Sequence, residues 1–153
     1  MQALYRGDAD TASRLGKGAE LDVFEAAALG EIARLRGLLE ADPALAKARS
    51  EDDFTALHYA AFFDGPDAAR LLLEHGADAN AFADNDIGVR PLNSAAAAGR
   101  REVAAVLLDH GADPNAPTRG GFTPLDAARE NDDEKLAELL RSHGAQDEPS
   151  PRT

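Results

Sequence analysis

A short phrase built around His-Gly-Ala recurs along this chain of 153 residues. Residues 71–81 and 106–116 share large aliphatics followed by His, Gly-Ala-Asp and Asn, and a shorter copy occupies residues 139–146. The glycines of the three copies are 35 and then 33 residues apart (Gly76, Gly111 and Gly144). A repeat of this length is typical of stacked supersecondary units, none of which can bury its apolar side alone. The chain is therefore expected to form a row of similar units rather than one deep core.

Each copy of the phrase has the features of a helix that ends at a glycine. Glycine readily adopts the left-handed conformation that terminates helices, and a histidine in the last turn can bond to the final carbonyls. Thr55 and Thr123 fit N-cap positions, and Pro91 and Pro124 fit the first helical turn. A leucine lies 18 residues before the histidine of each unit (Leu57, Leu92 and Leu125). This spacing predicts helix–turn–helix units.

We expect a single repeat domain over residues 1–146 and a disordered tail over 147–153. The tail contains two prolines and no large apolar residue that could anchor it. In the first full unit, Asp22 fits the N-cap of a helix that ends at Leu29, and residues 31–40 fit its second helix. The predicted units are a short N-terminal cap at about 1–19, then 20–49, 50–82, 83–116 and 117–146.

Composition restricts the core and the class of partner. With 5% aromatic residues and no Trp, the core must consist mainly of Ala and Leu, which lets short helices pack closely. The absence of Cys excludes disulfides and thiolate metal sites. A net charge of −12 disfavours binding to nucleic acid and to anionic membranes, whereas it suits a basic protein partner. No run of about 18 apolar residues could span a membrane, and the first residues lack the apolar core of a signal peptide, so a cytoplasmic protein is expected.

The sequence of residues 123–125 (Thr-Pro-Leu), the Ala-Ala pairs, the Leu-Leu helix ends and the Gly-Ala-Asp-x-Asn phrase together resemble ankyrin repeats. The resemblance covers about residues 20–146 and, more weakly, the residues before them. It implies an all-α fold, an α-solenoid of about four stacked helix–turn–helix repeats with a short N-terminal cap. It also implies β-hairpin-like finger loops, and a concave face of finger tips and first helices that binds other proteins.

Three departures from the family pattern carry structural expectations. Arg90 stands where the family has a capping Thr, so the helix that follows should be less well capped. Asp53 stands where the family has Gly in a tight turn, which requires the left-handed region. An insertion of two residues within 80–90 is expected to make one finger protrude.

No motif in the sequence indicates catalysis, a cofactor or a metal. There is no phosphate-binding Gly-rich loop, no nucleophile elbow and no metalloprotease histidine pair. The repeated histidines would lie about 8–10 Å apart on stacked helices, too far to share a zinc ion whose ligands bond at about 2.0–2.1 Å. We therefore expect them to bond helix carbonyls, His58 to bond nearby backbone, and Asn80 and Asn115 to bond their own turns.

The family resemblance implies a partner-binding surface at the finger tips and first helices. We expect Phe54, Phe62 and Phe63 to be its apolar anchors within an acidic rim. An alternative is that Phe62 and Phe63 only cover the small alanines at 95–98 of the next unit. The other candidate contact residues are Glu51, Asp52, Phe82, Asp86, Ile87, Val89, Arg119 and Phe122.

These features favour a monomeric protein–protein interaction module, an adaptor or regulatory subunit without catalytic activity. The alternative is an acidic inhibitor of the immunity type, which would block a basic enzyme or a nucleic-acid-binding surface. Binding by such an inhibitor would weaken steeply with salt, whereas binding through apolar anchors would not. An enzyme or small-ligand binder is the third possibility and would require a closed pocket with convergent polar groups.

Overall fold

The computed structural model describes residues 21–146, and the predicted cap at 1–19 and tail at 147–153 lie outside this range. The described residues contain eight α-helices in four consecutive pairs and no β-strand, so the predicted all-α repeat fold is confirmed. A 3₁₀ helix, Pro43–Lys47, follows the first pair. The helices are α1 Val23–Leu29, α2 Ile32–Ala41, α3 Ala56–Phe62, α4 Pro66–Glu74, α5 Pro91–Ala98, α6 Arg101–Asp109, α7 Pro124–Glu130 and α8 Glu134–Ser142.

The helices form two stacked rows. The first helices of the pairs (α1, α3, α5, α7) contact one another in sequence, and so do the second helices (α2, α4, α6, α8). Leucines and alanines fill the space between the rows, including the fully buried Leu35, Leu72 and Leu107. Small residues allow the short helices to approach closely, as the composition predicted.

The helix N-termini follow the predicted caps. Asp22 accepts a hydrogen bond from the Glu25 N–H at 2.8 Å, and Glu25 Oε1 accepts one from the Asp22 N–H at 2.9 Å. Thr123 Oγ1 accepts from the Asp126 N–H at 3.1 Å. These reciprocal bonds satisfy amides that a helix leaves unpaired at its start.

Helix α5 has a weaker cap, as the sequence predicted. Arg90 has no acceptor in its side chain, so it makes no capping bond to the first turn. Only the reciprocal bond remains, in which Asn93 Oδ1 accepts from the Arg90 N–H at 2.8 Å.

The repeated histidines bond helix carbonyls, which confirms their predicted role. The Nδ1 atoms of His75, His110 and His143 lie 2.9, 2.8 and 3.1 Å from the carbonyl oxygen four residues earlier. The glycine after each histidine has a φ between 93° and 104°. The recurring phrase is thus the C-terminal end of the second helix of a unit.

The connections between units contain one turn that needs a left-handed residue. It is occupied by Asp53 (φ 66°), Gly88 (φ 63°) and Gly121 (φ 89°). A backbone hydrogen bond closes each turn, for example from the Thr118 N–H to the Phe122 carbonyl at 2.7 Å. Asp53 therefore adopts the conformation expected at this position.

The long loop, residues 83–89, contains the two-residue insertion and is attached to both neighbouring connections. The Asp84 N–H donates to Asp53 Oδ2 at 2.7 Å, and Asn85 Nδ2 donates to the Asp52 carbonyl at 2.6 Å. On the other side, the Arg119 N–H donates to the Gly88 carbonyl at 2.8 Å. The inserted residues therefore add contacts along the stack.

The prediction that Asn80 and Asn115 bond their own turns is wrong. Asp78 and Asp113 close the turns, because their carboxylates accept from the N–H two residues later at 2.9 Å. The two asparagines bond instead to the backbone of the following unit. Because the aspartate carboxylates make the bonds within the turns, the asparagine side chains are available to bond the next unit.

Candidate functional site

A groove of about 340 Å³ runs across the first helices and the connecting loops. Helix α3 contributes Phe62 to it, and the long loop contributes Ile87. Ala97 of α5 and Ala127 of α7 lie along the groove, and Phe122 comes from the turn before α7. Most of the lining is therefore apolar.

The large side chains of the groove are incompletely buried. Ile87 is 47% exposed and Phe122 is 48% exposed. Phe62 is partly buried and lies edge-on to Phe63, with ring centroids 5.0 Å apart. Exposed apolar surface of this kind marks contact sites more often than isolated apolar residues do.

The two neighbouring phenylalanines have different surroundings. Phe62 lines the groove together with Ala97, whereas Phe63 packs against the cluster of Phe54, Tyr59, Ala83 and Val89. The alternative, in which these two rings only cover alanines of the following unit, therefore describes part of their surroundings. Neither ring is fully buried.

The expectation that Phe54 is an exposed anchor is wrong. Its side chain is 1% exposed, and its ring centroid lies 5.4 Å from that of His58 and 5.8 Å from that of Tyr59. Val89, also expected on the surface, is 8% exposed. Ala83 and Val89 of the long loop belong to the same buried cluster as Phe54, so the loop covers the Phe54 side chain. Both residues still border the bottom of the groove.

Phe82 and Arg119 do not line the groove but stabilise the long loop. The Phe82 ring has the guanidinium of Arg90 5.0 Å from its centroid and that of Arg119 at 5.4 Å. Arg119 also forms an ion pair with Asp84 at 2.7 Å. Cation–π contacts of this length add to the stability of the loop.

The predicted acidic residues occupy different positions around the groove. Glu51 and Asp86 are exposed, and Asp86 precedes the groove residue Ile87. Asp52 is partly buried, and its carbonyl accepts the bond from Asn85. Among the described residues, Glu130 at the end of α7 is the one titratable side chain that lines the groove.

His58 lies below the groove and is fully engaged with the protein. Its Nδ1 accepts from the Thr55 N–H at 3.1 Å, and its Nε2 donates to the Val89 carbonyl at 3.0 Å. Burial lowers the pKa of His58 from 6.5 to about 4, because the charged form would lose its hydration. This histidine is therefore a neutral structural link between α3 and the long loop.

Residues 21–146 contain neither a metal-binding cluster nor a membrane-spanning helix. This range holds no cluster of three His, Asp or Glu side chains that could bind a metal ion. None of the helices in the same range has the length and hydropathy to cross a bilayer.

Ser94 and Ala127 were not singled out from the sequence as groove residues. Ser94 and Ala97 are three residues apart on α5, and Ala127 and Glu130 are three apart on α7, so each pair lies on one face. Helical spacing could have identified this face, but small polar and apolar side chains have no distinctive signal. Thr118 was missed because it belongs to an irregular loop.

Comparison with known proteins gives two findings. A family described as ankyrin repeats matches the sequence in three overlapping copies, at residues 1–83, 23–118 and 81–149. The chain is also 42% identical over 84 residues to the probable E3 ubiquitin-protein ligase XBOS31 of Oryza sativa subsp. japonica. That alignment covers 54% of this chain and 18% of the plant protein.

Proposed function

Since the chain belongs to the ankyrin-repeat family, whose repeats form protein–protein interaction modules, we propose that it is an adaptor or regulatory subunit. Its partner would bind in the groove. The observation that carries this proposal is the clustering of exposed apolar side chains. Within residues 21–146, three large apolar side chains are substantially exposed, and two of them, Ile87 and Phe122, line the same groove. Covering each by a partner would contribute about 1 kcal/mol, roughly half the value for full burial.

The composition of the groove supports binding rather than catalysis. Its described lining contains a single titratable side chain, Glu130, and no nucleophile paired with a base. Ankyrin-repeat domains are typically non-catalytic. The partial likeness to a probable ubiquitin ligase is compatible with a module that brings a partner to an enzyme.

Affinity capture from the source organism tests the groove as the binding site. Ala97→Trp would fill the groove from an exposed position on α5. The matched control is Leu29→Trp, which places the same ring at a 47% exposed position on α1 outside the groove. A partner retained by the wild type and by Leu29→Trp but lost with Ala97→Trp supports the proposal. Equal capture by both variants contradicts it.

The second candidate function is an acidic inhibitor that blocks a basic surface, which the net charge of −12 favours. The two candidates differ in their response to salt, because exposed charges are screened over about 8 Å at physiological ionic strength. Affinity for the captured partner should fall steeply between 50 and 500 mM salt, at least about 100-fold, if many charges carry the binding. A change below about 10-fold favours the groove.

A further inference from the structure

We infer that the groove selects a partner segment carrying a large apolar side chain close to a lysine or arginine. This inference rests on the proposed function and specifies the chemistry of the partner. The apolar walls of the groove would receive the side chain, and the carboxylates at its edge would pair with the cation.

The groove is large enough to receive a side chain of a partner segment. At about 340 Å³ it lies at the lower end of the range for ligand pockets. Ala97 and Ala127 leave space between the larger side chains of Phe62, Ile87 and Phe122. A leucine or an aromatic ring entering this space would contact apolar atoms on several sides.

The edge of the groove carries carboxylates without a cation. Glu130 lines the groove and is exposed, and Asp86 is exposed beside Ile87. Within residues 21–146, neither carboxylate is part of an ion pair. A carboxylate at the edge of an apolar surface favours a partner that brings a positive charge, because the interaction strengthens as water leaves.

The arginines near the groove are committed to other contacts. Arg100 Nε donates to the Phe62 carbonyl at 3.0 Å, and Arg90 donates to the Pro117 carbonyl at 3.2 Å. Arg119 pairs with Asp84, and Arg129 lies 4.0 Å from Asp126. Within residues 21–146 none of these arginines forms an ion pair with Glu130 or Asp86, so a cation of the partner can pair with them.

A second copy of this chain fits the groove poorly. Two copies would each bring a net charge of −12, so their association would be opposed by repulsion. A segment with acidic residues would meet the same repulsion at Glu130. Charge complementarity therefore favours a basic, amphipathic segment.

Selection from a phage-displayed random peptide library on the full chain tests the inference. We expect the enriched peptides to share Leu, Phe or Trp within four residues of Lys or Arg. Fluorescence anisotropy with one enriched peptide should show at least about 10-fold weaker binding to Ala97→Trp, because the indole would occupy the space that receives the apolar side chain of the peptide. Leu29→Trp should bind within twofold of the wild type.

The charge is tested by reversing one carboxylate. Glu130→Lys should weaken binding of the peptide about 3- to 10-fold at 50 mM salt, and the difference should shrink at 500 mM salt. The matched control is Glu102→Lys, at an exposed position on α6 outside the groove, with an expected change below twofold. Circular dichroism melting verifies that each variant is folded. If Ala97→Trp does not fold, Ile87→Ala replaces it, with the equally exposed Leu29→Ala as its control.

The possible outcomes separate the inference from the proposed function. Enriched peptides that require the groove but carry no cation, or that bind Glu130→Lys unchanged, overturn the inference and leave the groove as a binding site. Peptides that bind the groove-blocked variant as well as the wild type overturn both. A library from which nothing is enriched also overturns both.

Discussion

The side chain of Asn80 connects its own repeat to Asp113 of the next. Its Oδ1 accepts from the Asp113 N–H at 2.7 Å, while its Nδ2 donates to the Gly111 carbonyl at 3.0 Å. Asn115 makes the same pair of bonds one repeat later, to Gln146 and Gly144, at 2.8 and 3.1 Å. The asparagine of the recurring phrase therefore fixes the spacing between consecutive repeats.

Replacing Asn80 by alanine should weaken the stack. The change removes two hydrogen bonds, each of which contributes about 0.5–1.5 kcal/mol net to stability. Because water can reach both bonds of the Asn80 amide, we expect the free energy of unfolding to fall by about 1–2 kcal/mol. Urea denaturation followed by circular dichroism measures the loss. Asp86→Ala removes an exposed side chain without an ion pair and should change the stability by less than about 0.5 kcal/mol. Equal stabilities of the two variants would contradict the bridging role.

The helices were predictable because their signals are local. Each signal involves residues close together in the sequence: Thr123 caps α7 by accepting from the Asp126 N–H three residues later, and Gly144 directly follows the histidine that ends α8. The family resemblance then supplied the stacking. Local helix signals and the family resemblance were thus enough to predict the repeat fold.

The contacts between repeats were not predictable in the same way. Asn80 bonds backbone atoms of residues that lie 31 and 33 positions later in the sequence. Whether its side chain bonds its own turn or the next repeat depends on the distance between the stacked repeats, which the sequence does not give. Phe54 became buried because the long loop, with its two inserted residues, contributes Ala83 and Val89 to its cluster. Small groove residues such as Ala127 have no sequence signal that separates a groove from an ordinary helix surface.

Phe54 and Phe122 occupy equivalent positions before a capping threonine, yet their truncation should have different effects. Phe54 is 1% exposed, so Phe54→Ala should leave a cavity and cost about 3–5 kcal/mol of stability. Phe122 is 48% exposed, and Phe122→Ala should cost no more than about 1 kcal/mol. Urea titrations of both variants test this pair. Similar losses would show that exposure does not determine their contribution.

Gly88 is required for two separate reasons, which a matched pair of variants can distinguish. Its φ is 63°, and a Cβ there would lie 2.5 Å from the Cβ of Arg119, too close for the side chain to relieve by rotation. Gly99 has a similar φ of 73°, but a Cβ there would meet nothing closer than 3.9 Å. Gly99→Ala should therefore cost about 1–2 kcal/mol for the left-handed backbone alone.

Gly88→Ala should cost a further 1–3 kcal/mol or so, because the clash must displace the backbone of the connection that carries Arg119. Denaturant unfolding of both variants gives the difference. The local nature of the effect can be verified by hydrogen exchange, which should increase at the Arg119 amide, since that amide donates to the Gly88 carbonyl. A Gly88→Ala variant no less stable than Gly99→Ala would contradict the close approach of the two connections.

The buried His58 should make the stability depend on pH. Its pKa in the folded chain is about 4, against 6.5 when exposed, so between these values the unfolded chain binds a proton that the folded chain does not. The contribution of His58 to the free energy of unfolding is therefore fully present above pH 6.5 and decreases as the pH falls toward 4. The total decrease from this one group is on the order of 3 kcal/mol.

His58→Asn isolates this contribution, because the next repeat already carries asparagine at the equivalent position. Asn93 accepts from the Arg90 N–H and donates to the Ala116 carbonyl at 2.9 Å, and neither bond involves a group that titrates near neutral pH. Urea unfolding at intervals between pH 4.5 and 7.5 should show a stability difference, wild type minus His58→Asn, that declines as the pH falls below 6.5. The carboxylates titrate in both proteins and largely cancel in this difference. A difference that stays constant across the range would mean that His58 takes up its proton equally well in the folded chain, and would contradict its burial beneath the long loop.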